Sequence, residues 1–385
     1  MAETFSMAEF VIPGTFIRVR AEGLISAGGI ATGNIGVVGT AVRMVDANGN
    51  TIVDPADTGG TKDTAIYGIT HLFSDYASAR DALGIYDAAS TGDKNLMRAI
   101  ELMFLNGART VYARALDTAA NPGNSDYTDA FNELIKDNVN ILAAPELTTD
   151  NAKTVLGPVL ESGENNGKDM MAVIGSDIAG SNATAVTAIK GQVPTNDRII
   201  FTTPGVQAYD AAAKQDVALG GNYGAAVIAG LLSTLTPESS PTNKVLPGVT
   251  KLAARFSYGQ TKDLVGSRVL VLEERQGVRV VRGLTTDDGA FKQITTRRIT
   301  DFAKAGIRQV SNPFIGRLNN ARVRKALHGA IDGFLTTMVQ DEALISYDLE
   351  VTASRQDEIA GRALVNAILR PTFSIEFIAV TLILQ

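Results

Sequence analysis

The sequence has no cysteine, no tryptophan and only two histidines. Without cysteine there is no disulfide scaffold, no thiol nucleophile and no Cys-ligated zinc or iron–sulfur site. His71 and His328 are 257 positions apart, which excludes a multi-histidine metal motif within one chain. Long hydrophobic runs are missing too. The apolar stretch at 377–384 falls far short of the roughly 20 residues a spanning helix needs. The first residues, Met1 to Phe5, lack the basic and apolar regions of a signal peptide, so folding in a cytoplasm is expected. What remains is 385 residues, 45% of them hydrophobic, enough for two or three domains with real cores.

Charge is unevenly distributed. The whole chain carries 35 Lys+Arg against 41 Asp+Glu, a net of −6. Residues 251–330 hold 16 against 6, a net of +10, which leaves 19 against 35, or −16, for the rest. Such polarity implies an oriented partner. Nucleic-acid binding calls for interleaved aromatics, but this segment has only Phe256, Tyr258, Phe291, Phe302 and Phe314. An acidic protein surface fits better.

Periodicity places the elements. Residues 15–20, after Pro13-Gly14, read as a strand, and 42–53 as a hairpin around Asn48-Gly49. Leu96, Ile100, Met103 and Phe104 share one helical face that Gly107 would cap, and a strand follows at 109–116. Apolar runs at 140–145, 170–176 and 198–203 alternate with helical segments near 150–162, 183–192 and 223–235. Together they predict an α/β layer with a largely parallel sheet. The Pro- and Ser-rich stretch 237–247 reads as a boundary, followed by strands at 268–274 and 278–284 and helices at 297–310 and 320–340. A last strand is predicted at 373–380. An apolar strand near each end must either pair within its own subunit or add to a neighbour's sheet.

No motif carries catalysis. Gly33, Gly36 and Gly39 have GxxGxxG spacing and precede a hairpin, unlike a dinucleotide loop. The stretch from Gly163 to Asp169 is one residue short of a phosphate loop and ends in Asp where Ser or Thr would meet magnesium. Asp46, Asn48 and Asn50 imitate half a calcium loop, but Thr51 stands where glycine is required. An α/β enzyme using Ser176 or Thr202 at strand ends of the 140–235 sheet stays open as the competing reading, although two isolated histidines supply no acid–base set for it.

The order of segments resembles the tail sheath proteins of contractile bacteriophages, R-type pyocins and related contractile injection systems. The resemblance rests on Pro13-Gly14-Thr15-Phe16-Ile17, on IGVVGTA at 35–41, on AIELMFLNGARTVYARA at 99–115, and on NVNILAAP and RIIFTTPG at 138–145 and 198–205. The stretch at 220–252 and the run VRVVRGLTTDDGAFKQI at 278–294 extend it. Asn222-Tyr223 and Ser239-Ser240 depart from the family pattern.

This resemblance implies a structural subunit without cofactor or metal, in a virion tail or injection-system particle assembled in a bacterial cytoplasm. It implies a tail-sheath-like α/β fold: an α+β inner domain built from both chain ends and an α/β outer domain. The expected division is an exchanged arm at 1–22, the outer domain at 23–245, a tube-facing domain at 246–370 and a second arm at 371–385. Its implied partners are further copies in hexameric rings and a helical polymer, an inner tail tube, and baseplate and terminator or collar proteins. Direct nucleic-acid contact and membrane insertion are not expected. Under this reading Arg297, Arg298, Arg308, Arg317, Arg322, Arg324 and Lys325 face an acidic tube. Phe16, Ile17 and Val19, with Phe373, Ile375, Phe377 and Ile378, lie on the exchanged arms.

Overall fold

A computed structural model describes residues 30–52, 59–85, 95–210 and 215–383. The expected strand at 15–20, with Phe16, Ile17 and Val19, lies outside the described residues.

The first half runs β1 (Ile35–Ala41), β2 (Arg43–Val45), β3 (Thr61–Asp63), β4 (His71–Phe73), α1 (Tyr76–Leu83), α2 (Leu96–Leu105), β5 (Val111–Asp117) and α3 (Asn124–Leu134). There follow β6 (Ile141–Ala143), α4 (Thr149–Asn165), β7 (Met171–Gly175), α5 (Ala183–Gln192), β8 (Ile199–Thr203), β9 (Val206–Asp210), β10 (Gln215–Leu219) and α6 (Gly221–Thr234). The remainder is β11 (Lys251–Leu252), α7 (Tyr258–Gly266), β12 (Leu270–Glu274), β13 (Val278–Val280), α8 (Ile294–Ser311), α9 (Ala321–Gln340), β14 (Leu344–Thr352), α10 (Arg355–Ile359) and β15 (Leu364–Pro371). Helix starts follow side-chain chemistry. Asn95, Thr148, Asn182 and Asn320 each accept the backbone N–H three residues on, as an N-cap should.

One eight-stranded sheet organises the chain in the order β13-β12-β8-β7-β6-β1-β5-β4. Its six inner strands are parallel, and β13 and β4 are antiparallel edges. Side chains alternate between the faces of a strand, so both must be apolar when helices cover both. Ile35, Val37, Ile141, Ala143, Met171 and Val173 pack on one face with α2 and α6. Val38, Leu142, Ala172 and Ile174 pack on the other with α3, α4, α5 and α7. That double coverage explains why these strands read as unbroken apolar runs. Gly175 ends β7 against α6, where an added Cβ would sit 1.7 Å from the Gly221 carbonyl oxygen.

A third core joins α8 and α9 to the hairpin β14–β15. Ile299, Ala303, Leu327, Ile331, Phe334 and Leu335 are buried there, with Tyr347, Leu349, Val365 and Leu369 packed against them. The large sheet continues through β12 and β13 to Val280, and the third core begins with α8. The Pro- and Ser-rich segment at 237–247 is loop, as that composition favours, and its Val245 bridges to Arg279 on the sheet edge.

Two further expectations bear on strand pairing. In 42–53 an antiparallel bridge, Val45 to Thr51, and backbone bonds from Asp46 to Asn50 and from Ile52 to Met44, both at 2.9 Å, close the turn at Asn48-Gly49, and β2 also pairs with Thr61–Asp63. The Asp46 carboxylate accepts the Asn48 and Asn50 amides, both at 2.8 Å, so the calcium-like residues serve their own turn. The segment 373–380 has no partner strand within the described chain, whereas β14 and β15 form a pair that the sequence reading missed.

Candidate assembly surfaces

The basic segment folds back onto acids far away in sequence. Arg198 stands immediately before β8, and its guanidinium is 3% exposed. It donates to Glu164 at 2.8 and 3.0 Å, to Asp169 at 3.0 Å, to Asp301 of α8 at 3.0 Å and to the Met170 carbonyl at 3.1 Å. Arg297 adds bonds to Asp197, at 2.7 Å, and to Asp301. Lys304 reaches Glu164 at 3.1 Å and also Asp169. The hydrogen bonds from Arg198 hold the Glu164 carboxyl down at about 2, whereas burial pushes Asp301 upward. This network seats α8 on the amino-terminal edge of the parallel strands. It was readable in part: Asp169 and Arg198 both sit just before apolar runs, and parallel pairing brings such positions to one edge.

The seven basic residues expected to face a partner therefore separate. Arg297 and Arg298 are buried and turned inward, which corrects their expected outward placement. Arg298 donates to the carbonyls of Thr32, Leu235 and Thr236, and burial lowers its pKa to about 10. The helical pattern showed two arginines but not the acids and carbonyls, up to 266 residues away, that receive them. Arg308 is half exposed, 3.6 Å from Asp169. Arg324 pairs with Glu358 at 3.0 Å and bonds Asn319 at 2.9 Å. Arg317, Arg322 and Lys325 are exposed and have no ion pair among the described residues. They cluster around the start of α9, beside exposed Ile315 and Leu318.

The carboxyl-terminal edge of the sheet, where doubly wound folds commonly hold ligands, is occupied by the protein's own side chains. Glu146 accepts the Thr40 amide and the Tyr127 hydroxyl, both at 2.7 Å. Burial and this carboxylate push Tyr127 upward. Ser176 donates to Gln192 at 2.8 Å, and the Thr202 hydroxyl is buried with no hydrogen-bond partner among the described residues. His71 lies on the edge strand β4, stacked on Phe73, and His328 lies on α9. Neither joins Ser176 or Thr202, so no acid–base set forms around them among the described residues.

The last third presents unpaired chain. β14 and β15 form a two-stranded sheet with one face on α8 and α9, and both outer edges lack a strand among the described residues. Ile345 and Ile368 are exposed on it. Beyond it, Phe373, Ile375, Phe377 and Ile378 are 60–83% exposed. No described helix is long and apolar enough to cross a membrane.

Comparison with known proteins gives two adjoining matches. Residues 120–286 match the phage tail sheath protein central domain, and 286–385 match the phage tail sheath C-terminal domain. Among curated proteins, none matches the sequence. Among solved structures, the fold is similar to a chain of the anti-feeding prophage baseplate, with a TM-score of 0.72 and 19% identity. That match covers 97% of this chain and 99% of the other. It is also similar to a chain of the PVC sheath complex of an extracellular contractile injection system in the contracted state. There the TM-score is 0.70, identity 15%, and coverage 99% and 98%. A sheath tail protein from Desulfitobacterium hafniense matches with a TM-score of 0.63, 13% identity, and coverage of 93% and 100%.

Proposed function

Because the chain belongs to the phage tail sheath family, whose members are structural components of contractile tails and injection systems, we propose that it polymerises as stacked hexameric rings around an inner tube and contracts to drive that tube through a target envelope. Its role is structural. Attachment to a baseplate follows from the same reading, since one similar chain belongs to a baseplate and another to a contracted sheath. No nucleotide is required: the extended polymer is held behind a kinetic barrier, and contraction releases energy stored in weaker interfaces.

The observation that carries this reading is the C-terminal segment. It exposes Phe373, Ile375, Phe377 and Ile378 next to a hairpin whose outer edges have no strand partner among the described residues. A soluble subunit does not leave a donor strand and an acceptor edge open without a use. Pairing of this arm with a second copy's sheet edge tethers neighbours through main-chain bonds, while each body moves as a unit. The arm carrying Phe16, Ile17 and Val19 is assigned the same role. The tube contact is assigned to Arg317, Arg322 and Lys325 around the start of α9, with Arg308 and Arg324 at its margin.

Removing residues 373–385 tests the reading. Negative-stain microscopy should show folded, discrete subunits where the full chain forms tubes. Normal tubes from the truncated chain would refute it. Exposed ion pairs contribute about 0.2–1 kcal/mol each, so a tube contact of this kind acts only collectively. Reversing Arg322 and Lys325 to Glu should abolish co-assembly with an acidic tube while leaving the subunit's melting curve unchanged.

A further inference from the structure

The C-terminal segment buries and exposes the opposite of what its composition predicts. From 373 to 377 the residues alternate, as in a strand, but the apolar side chains Phe373, Ile375 and Phe377 face solvent at 60%, 83% and 80% exposure. The carboxylate between them, Glu376, is 8% exposed. Apolar burial therefore does not hold this segment in place. An ion pair does: Nε of Arg282 donates to Glu376 Oε2 at 2.9 Å, and a terminal nitrogen of the same guanidinium donates to the same oxygen. The guanidinium also lies 5.3 Å from the centroid of the Phe377 ring, within cation–π range. Arg282 follows β13 by two residues, so the tether is rooted on the edge of the eight-stranded sheet and not on the hairpin that precedes the segment. The last backbone bond before it runs from the Thr372 amide to the Ala343 carbonyl, 3.1 Å.

We propose that Arg282 is a positioning residue for the C-terminal arm: by holding Glu376 it turns the polar face of the segment toward its own subunit and presents Phe373, Ile375 and Phe377 as a ready strand to a second copy of the chain. Fixing the segment in advance removes much of the ordering cost that a free tail would meet on association. The occupant is a second copy because the complementary surface, a sheet edge unpaired among the described residues and flanked by exposed Ile345 and Ile368, is on this same chain. This inference rests on the proposed arm exchange.

The experiment uses the full chain with Arg282→Gln, Glu376→Gln, and the exchanged pair Arg282→Glu with Glu376→Arg. Chymotrypsin cleavage at Phe373 and Phe377 is followed in dilute, unassembled protein, and polymer yield is followed by sedimentation and microscopy. Each single variant should be cleaved about tenfold faster than the parent, melt at the parent temperature, and form polymer only at several-fold higher concentration. The exchanged pair should restore both readouts, which a merely structural loss at either site would not allow. Unchanged cleavage in the single variants overturns the tether. Faster cleavage with undiminished assembly overturns the positioning role. Failure of arm exchange itself shows separately, as polymer formed by the chain lacking residues 373–385.

Discussion

Replacing Arg198 with Met removes the centre of the buried ionic network without leaving a large hole. The guanidinium makes four bonds to three carboxylates and one to a carbonyl. Stripping one partner from a buried ion pair costs about 3–5 kcal/mol, because the other charge remains desolvated. Here Asp169 keeps Lys304, and Asp301 keeps Arg297. The low end applies, about 3 kcal/mol, which makes the unfolded state roughly 150-fold more populated. Tryptophan is absent, so urea denaturation is best followed by far-UV circular dichroism, comparing midpoints at unchanged slope. Arg198→Lys should fall between, since it keeps the charge but loses the planar fork that serves three acids. Faster amide exchange in α8 should accompany the loss. A change below about 1 kcal/mol in the Met variant, the scale of an exposed pair, would refute the claim that this network seats α8.

Two further outcomes follow from local geometry. Glu164 has a folded pKa of about 2 against an ordinary 4.5, so its stabilisation is complete above 4.5 and lost as pH falls toward 2. Glu164→Gln should therefore flatten the acid limb of stability against pH, and an acid limb as steep as the parent's would contradict the pairing. Gly175→Ala should yield little soluble protein, because the new Cβ meets the Gly221 backbone oxygen at 1.7 Å and neither chain can give way cheaply. A fully folded Ala variant would show that α6 is not seated against β7 as described.

The parallel core was legible because its strands are buried on both faces and so read as plain apolar runs. Residues 170–176 and 198–203 became β7 and β8 within a residue or two. Helices α2, α4, α5 and α6 were readable from caps and periodicity. The hairpin β14–β15 went unread although Tyr347, Leu349 and Val351 alternate with Asp348, Glu350 and Thr352; only one of its faces is covered, and a period of two over mixed residues is a weak signal. The β9–β10 pair was missed for a stronger reason. Only Val217 and Leu219 of Gln215–Leu219 turn inward to the core, and two apolar positions are too few to set a readable period. At the candidate surfaces, charge was visible but its destination was not. A +10 segment looks unpaired in one dimension, whereas Asp169, Asp197, Glu164, Glu358 and Glu376 meet much of it in three.

That folding-back divides the chain's charges by how salt reaches them. At physiological ionic strength screening acts over about 8 Å of solvent, but a desolvated pair is screened far less. The Arg198 cluster belongs to the second kind, whereas Arg317, Arg322 and Lys325 belong to the first. Concentrated salt thus loosens whatever these three grip while leaving each subunit's own layers joined. Ionic strength becomes a dial on contacts between molecules that scarcely turns those within one.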